Sequence, residues 1–205
     1  MDAPTLERER ALWAKGHEFV AGLDEVGRGP LAGPVIAAAV VFPPGQLSID
    51  GIRDSKLLSP LQREIVESRV KEASLAWTIG AASVKEIDRL NIRRATVLAM
   101  RRAIDRLPSA PDHVLVDGNP VPELGLEHDA IVKGDRLCLS IAAASVMAKC
   151  LRDRLMERLA KRHPQFNWHS NKGYGTAAHL RALDEFGPTE HHRKTFAPVA
   201  QGRLL

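Results

Sequence analysis

The chain has 205 residues, of which 44% are hydrophobic, 26% charged and only 4% aromatic, a balance that suits one large domain with a sizeable core. No stretch approaches the roughly 18 consecutive apolar residues of a membrane span, and the charged opening Glu7-Arg8-Glu9-Arg10 lacks the apolar core of a signal peptide, so a cytoplasmic protein without a membrane partner is expected. A net charge of +4 with a pI near 9.3 leans towards a polyanionic partner without requiring one, and Cys138 and Cys150, outside any CxxC pair, argue against a disulfide framework or a thiolate zinc site.

Residues 1–18 read as a short peripheral helix anchored by Trp13. An apolar run from Phe19 to Leu23 then reads as a buried strand, yet it finishes on Asp24 and Glu25, and buried strands rarely end on unpaired acids. Gly27 and Gly29 bracket Arg28, so the chain can turn sharply and offer backbone N–H groups to an anion. Residues 35–42, closed by Pro43-Pro44-Gly45, suit a central strand paired antiparallel with the first. A loop holds Asp54-Ser55-Lys56, and Ser59-Pro60 opens a helix running to about Ala73.

Residues 75–84 read as a third strand, and Ser83 with Glu86 has the form of a capping box. Ile92, Ala95, Leu98, Ala99 and Ala103 recur at helical spacing over 91–106. The run 113–117, HVLVD, is a short strand that again ends on an acid, Asp117, before Gly118-Asn119. A brief strand at 130–132 leads to Lys133-Gly134-Asp135, which places a third acid at a strand end. Ser140 starts a long helix with Ile141, Ala144, Ala148, Leu151, Leu155 and Leu159 on one face. Its basic residues, Arg152 among them, are expected on a solvated face, and Asp153 is expected to pair with a neighbouring arginine. Pro164 closes it, 165–175 reads as a loop, and Thr176 caps a helix reaching Phe186. Alternating strands and helices imply an α/β architecture with a central mixed sheet.

Acids at three strand ends can be brought together by one sheet. Carboxylates that crowd this way are stable only when protons or divalent cations neutralise them. Mg²⁺ suits such a site because it takes oxygen ligands, one or two of them carboxylates, alongside substrate phosphate oxygens. Two such ions serve in-line phosphodiester hydrolysis. Neighbouring residues on a regular strand face opposite sides, so Asp24 and Glu25 reach one ion only where the strand twists or ends. His163, His169, His179, His191 and His192 lack metal-ligand spacing and fall outside the site.

The segments AGLDEVGRGPLAGPVIAAAV, DSKLLSP, VDGN, IVKGD with SIAAASVMAKCLRDRLM, NKGYGTAAHL and HHRKTFAPV together resemble the bacterial ribonuclease HII family, the type 2 ribonucleases H, over about 20–199. The resemblance implies an RNase H-like fold in a single domain, with an α/β catalytic core over about 1–163. A C-terminal helical part, about 164–205, would form a wall of the substrate groove. It implies that Asp24, Glu25, Asp117 and Asp135 are the catalytic, metal-holding acids, with Mg²⁺ or Mn²⁺ as cofactor and Asp24 shared between two ions. Gly27, Arg28 and Gly29 would approach the ribose 2′-hydroxyl. Tyr174 would contact it and pack on the next deoxyribose, and Lys56 would hold a phosphate. The implied substrates are RNA/DNA hybrids and DNA containing ribonucleotides, cut 5′ to the ribonucleotide by a monomer, in the service of ribonucleotide removal from DNA; no added domain or clamp-binding tail is expected from the sequence. Two other readings stay open: a related nuclease or strand-transfer enzyme acting on DNA without sensing the 2′-hydroxyl, and a hybrid-binding protein with structural acids.

Overall fold

The computed structural model of the protein describes residues 3–53 and 55–201, with Lys56 described by its backbone alone. Five strands, β1 (Val20–Val26), β2 (Val35–Val41), β3 (Ala76–Ala82), β4 (His113–Asp117) and β5 (His128–Ile131), form one sheet in the order β3-β2-β1-β4-β5. β1 and β3 flank β2 antiparallel, whereas β4 runs parallel to both β1 and β5. This is the mixed sheet that the alternating pattern implies.

β2 is buried along its whole length, which the pleat explains. Ile36, Ala38 and Val40 pack against Val66 and Val70 of α2 (Pro60–Ala73) and against Ala143 and Met147 of α6 (Leu139–Arg162). Val35, Ala37, Ala39 and Val41 point the other way, onto Ala95, Ala99 and Met100 of α4 (Ile92–Ile104). A strand covered on both faces has no polar face to show, hence the unbroken apolar run. α6 lies so close to β1 that a Cβ on Gly22 would stand 2.3 Å from the Ser140 carbonyl carbon.

The expected caps are present. Ser59 and Gln62 close a capping box at α2, Ser83 and Glu86 another at α3 (Val84–Leu90), and Thr176 Oγ1 accepts from His179 N–H at the start of α8 (Ala177–Phe186).

Other boundaries differ. α1 covers only Glu7–Trp13, because the chain turns at Ala14–Gly16, where Gly16 has φ +93°. β5 begins at His128 and ends at Ile131, so Asp135 lies in the first turn of α5 (Gly134–Leu137) rather than at the strand's end. The segment read as a loop over 165–175 contains a 3₁₀ turn, Pro164–Phe166, and α7 (Trp168–Asn171), which fold because fully buried Phe166 and Trp168 stack on each other at 5.2 Å. On α6 the buried stripe past residue 150 runs through Arg152, Asp153, Met156, Leu159 and Ala160. Arg152 is therefore core rather than solvated. Asp153 pairs with Lys149 at 2.6 Å and with Arg63 of α2 at 3.1 Å, not with an arginine of its own helix.

Two polar devices complete the frame. Glu9 of α1 is buried, and its Oε1 accepts the Ser140 backbone N–H at 2.8 Å. It serves as a remote cap for α6, whose own N-cap, Cys138, makes no side-chain cap bond. In the C-terminal layer, Thr189 N–H donates to His192 Nδ1 at 2.9 Å, which leaves the His192 proton on Nε2, 3.0 Å from His179 Nε2. His179 Nδ1 lies 2.9 Å from the Tyr174 carbonyl oxygen. Both rings therefore fit this layer as neutral imidazoles.

Two outcomes are expected. Glu9→Ala leaves the first turn of α6 without its acceptor and should cost about 1–3 kcal/mol; an unchanged urea midpoint would contradict the capping role. Burial, helped by the neighbouring His179, His163 and His191, pushes His192 down to about 3 from its ordinary 6.5. The unfolded chain thus takes up the proton first, and the stability contributed by neutral His192 is complete above about pH 6.5 and lost as pH falls towards 3. Hydrogen exchange corrected for intrinsic rates should show 166–193 loosening before the sheet; simultaneous loosening would oppose this.

Candidate active site

The pairing of β1 with β4 builds the centre of the site. Their parallel register aligns Leu23 with Val116, so the next residues, Asp24 and Asp117, emerge side by side where the two strands deliver their carboxyl ends. Asp24 is 5% exposed and faces α6, as does Ala38 opposite it on β2. Its Oδ1 accepts the Glu25 backbone N–H at 2.7 Å. Ser145 of α6 stands close enough to favour the charged form of its carboxylate, and Ser145 Oγ lies 3.0 Å from Ser55 Oγ.

β1 continues through Val26, so the pleat holds and Glu25 faces the α4 side, as does Ala37 opposite it. There Arg28 Nη1 donates to Glu25 Oε1 at 3.1 Å. Asp135 is buried in the first turn of α5, and its N–H donates to Asp117 Oδ1 at 3.4 Å. A cavity of about 400 Å³, lined by Glu25, Arg28, Thr96, Met100, Asp117 and Asn119 among others, opens beside these acids. A wider cleft of about 870 Å³, with Arg8, Arg53, Lys133 and Arg136 among its lining residues, lies at α5.

The electrostatics favour a cation. Burial pushes the Asp24 carboxyl well above its ordinary value, and repulsion from Glu25 and Asp117 adds to this. Glu25 is raised chiefly by burial, with Arg28 opposing and Asp117 adding. Such a group holds protons until a cation replaces them. Among the described residues no three His, Cys, Asp or Glu side chains already surround one point closely enough to hold an ion. The donor set nevertheless fits a hard cation held by one or two carboxylates with water and phosphate oxygens completing its shell.

The second half of the site is the turn after β1. Gly27 has φ +94°, and a Cβ there would stand 2.3 Å from Arg152 Nε, so both conformation and space demand glycine. A Cβ on Gly29 would stand 3.5 Å from Tyr174 Cε1, which puts this turn against the tyrosine ring. Leu31 N–H donates to the Gly173 carbonyl at 2.8 Å, and Gly33 N–H to that of His191 at 2.9 Å. Tyr174 is 50% exposed. Asp54 and the Lys56 side chain lie outside the described residues; the Lys56 backbone belongs to the 3₁₀ turn Ser55–Leu57.

Beneath the turn lie two buried guanidinium groups. Arg152 donates to the carbonyls of Ala32, Pro34 and Lys172 at 2.9, 3.1 and 2.9 Å. Arg193 donates to Arg28 and Gly33 at 2.8 Å each and also to Gly27. Sequence reasoning missed both, along with Ser145 and Ser55. Arg152 carried a signal, since it falls four residues from both Ala148 and Met156 on the buried face. Arg193, in a tail with little periodicity, carried none.

The family model described as Ribonuclease HII matches residues 21–199. A Ribonuclease HII of Wolbachia pipientis is 54% identical over 181 residues, 88% of this chain and 91% of its own length. One from Cereibacter sphaeroides is 53% identical over 197 residues, 96% and 92%. The crystal structure of ribonuclease H2 from Pyrococcus horikoshii superposes with a TM-score of 0.77 at 26% identity, covering 90% of this chain and 97% of that one. With a match that spans nearly every element of the sheet and both halves of the site, the chain belongs to the ribonuclease HII family and has the RNase H-like fold.

Proposed function

We propose that the protein is a divalent-metal-dependent endoribonuclease that hydrolyses the phosphodiester 5′ to a ribonucleotide, in RNA/DNA hybrids and at single ribonucleotides within duplex DNA, leaving 3′-hydroxyl and 5′-phosphate ends. We assign it to the cytoplasm as a monomer that removes ribonucleotides from DNA. The observation that carries this reading is the position of Arg28. Its guanidinium bonds Glu25, while its backbone belongs to the turn that meets Tyr174. A sugar-reading element thus adjoins a cluster of acids.

Asp24 and Asp117 would hold the metal with Glu25 and Asp135, and Mg²⁺ or Mn²⁺, as two ions, would supply nucleophile activation and leaving-group stabilisation when bound. The Glu25 N–H orients the Asp24 carboxylate, with Ser145 beside it. The Gly27–Gly29 turn and the Tyr174 hydroxyl offer hydrogen bonds to the 2′-hydroxyl that separates RNA from DNA, and the tyrosine ring packs on the following sugar, which favours one without a 2′-oxygen. Lys56 is assigned a phosphate, as are the basic residues of the α5 cleft. Side-chain nucleophiles fit poorly: Cys138 and Cys150 are buried, and burial pushes the Cys150 thiol up to about 12.

Product ends mapped on a duplex with one embedded ribonucleotide decide the matter. Cleavage on its 5′ side, abolished by a chelator and absent on the all-DNA duplex, is expected. A cut on the 3′ side, indifference to chelator, or equal cleavage of both duplexes would overturn the reading. Asp24→Asn keeps the shape of the side chain and should lower kcat at least about 100-fold while binding is largely kept; unaltered turnover would make the acid structural.

A further inference from the structure

Arg193 is 0% exposed, and every hydrogen bond that its guanidinium makes goes to a backbone carbonyl: those of Gly27, Arg28 and Gly33. It also lies over the Phe196 ring at 5.0 Å. A buried guanidinium with no direct carboxylate bond, only Asp88 nearby, is costly, and apolar residues of similar volume commonly replace buried charges at no loss of stability. The cost shows in its acidity: burial, with Arg152 close by, pulls Arg193 down to about 9. Stability alone accounts poorly for such a residue.

The peptide planes suggest what it does instead. In a trans peptide the carbonyl of one residue and the N–H of the next point in opposite directions, and no peptide here is cis. Since the carbonyls of Gly27 and Arg28 point inward to Arg193, the N–H groups of Arg28 and Gly29 point outward. Both residues are exposed, and Gly29 borders the Tyr174 ring. We propose that Arg193 is a positioning residue that sets ribonucleotide selectivity: it draws the Gly27 and Arg28 carbonyls into the core so that the N–H groups of Arg28 and Gly29 are presented to the ribose 2′-oxygen.

Arg152 supplies an internal control. It is equally buried and packs beneath Gly27, but its hydrogen bonds go to Ala32, Pro34 and Lys172, so it exerts no hydrogen-bond pull on the Gly27 and Arg28 carbonyls. The inference rests on the ribonucleotide-reading function proposed above. An unmodified protein that binds a single-ribonucleotide duplex no better than an all-DNA duplex would remove that reading first.

The test measures metal-free binding of both duplexes, and kcat/KM on the ribonucleotide duplex, for Arg193→Lys and Arg152→Lys. Lysine keeps the charge but cannot span three carbonyls with a planar fork. Arg193→Lys should bring the binding preference close to one and lower kcat/KM by roughly 30- to 100-fold, the scale of losing preorganised donors, with all-DNA binding unchanged. Arg152→Lys should keep the preference within about threefold of the unmodified protein at a comparable loss of melting temperature. A preserved preference in Arg193→Lys, or equal loss in both variants, would overturn the proposal. A second measurement needs no variant: the amide NMR signals of Arg28 and Gly29 in the full chain should shift with the ribonucleotide duplex and stay in place with all-DNA. Equal shifts with both duplexes would refute the proposal as well.

Discussion

The structure depends on one juxtaposition, the parallel pairing of β1 with β4 that sets Asp24 beside Asp117 at the edge of a closely packed core. Parallel register fixes which residues emerge together, and apolar runs bury the strands on both sides. The carboxylates therefore cannot separate without disturbing the core. Repulsion that would be screened on an open surface is kept strong here by burial. The protein has placed negative charge where only a proton or a cation can offset it, and in the proposed hydrolysis a phosphodiester would share that cation.

α6 makes this arrangement precise over a distance. Ser140 rests on Gly22, Ser145 stands beside Asp24, Arg152 sits beneath Gly27, and Met156 packs under Gly33. These contacts span 17 residues of one helix, a rise of roughly 24 Å at 1.5 Å per residue. The acids and the turn beside Tyr174 are thus registered on the same rod. Glu9, capping the start of that rod, and the Arg63–Asp153–Lys149 group at its middle tie it to α1 and α2. The C-terminal layer, built on Phe166, Trp168, His179 and His192, then presses Tyr174 and Arg193 onto the turn.

Features set by neighbouring residues were legible in the chain. The acids announced themselves because apolar runs ended on them, and the helices at Ser59, Ser83 and Thr176 were marked by caps whose partners lie three residues away. What could not be read depends on contacts across the fold. Glu9 looked like one charge among four, and only the arrival of the Ser140 N–H gives it a purpose. Arg152 looked solvated, although its spacing from Ala148 and Met156 marked the buried face, because its carbonyl partners lie outside α6, and nothing near Asp153 in sequence pointed to Arg63 of α2. The loop at 165–175 held no long periodic run, yet it folds because two aromatic rings stack there. Asp135 was legible as an acid near Asp117, but its placement in α5 instead of a strand end was not, since the strand before it is only four residues long.

The claim that the buried acids take a divalent cation is tested most directly by a crystal soaked in Mn²⁺, with the ion located by its anomalous scattering. The account predicts a peak in contact with Asp24 and Asp117, lost in Asp24→Asn. Mn²⁺ bound only elsewhere, or a peak that survives this substitution unchanged, would contradict it.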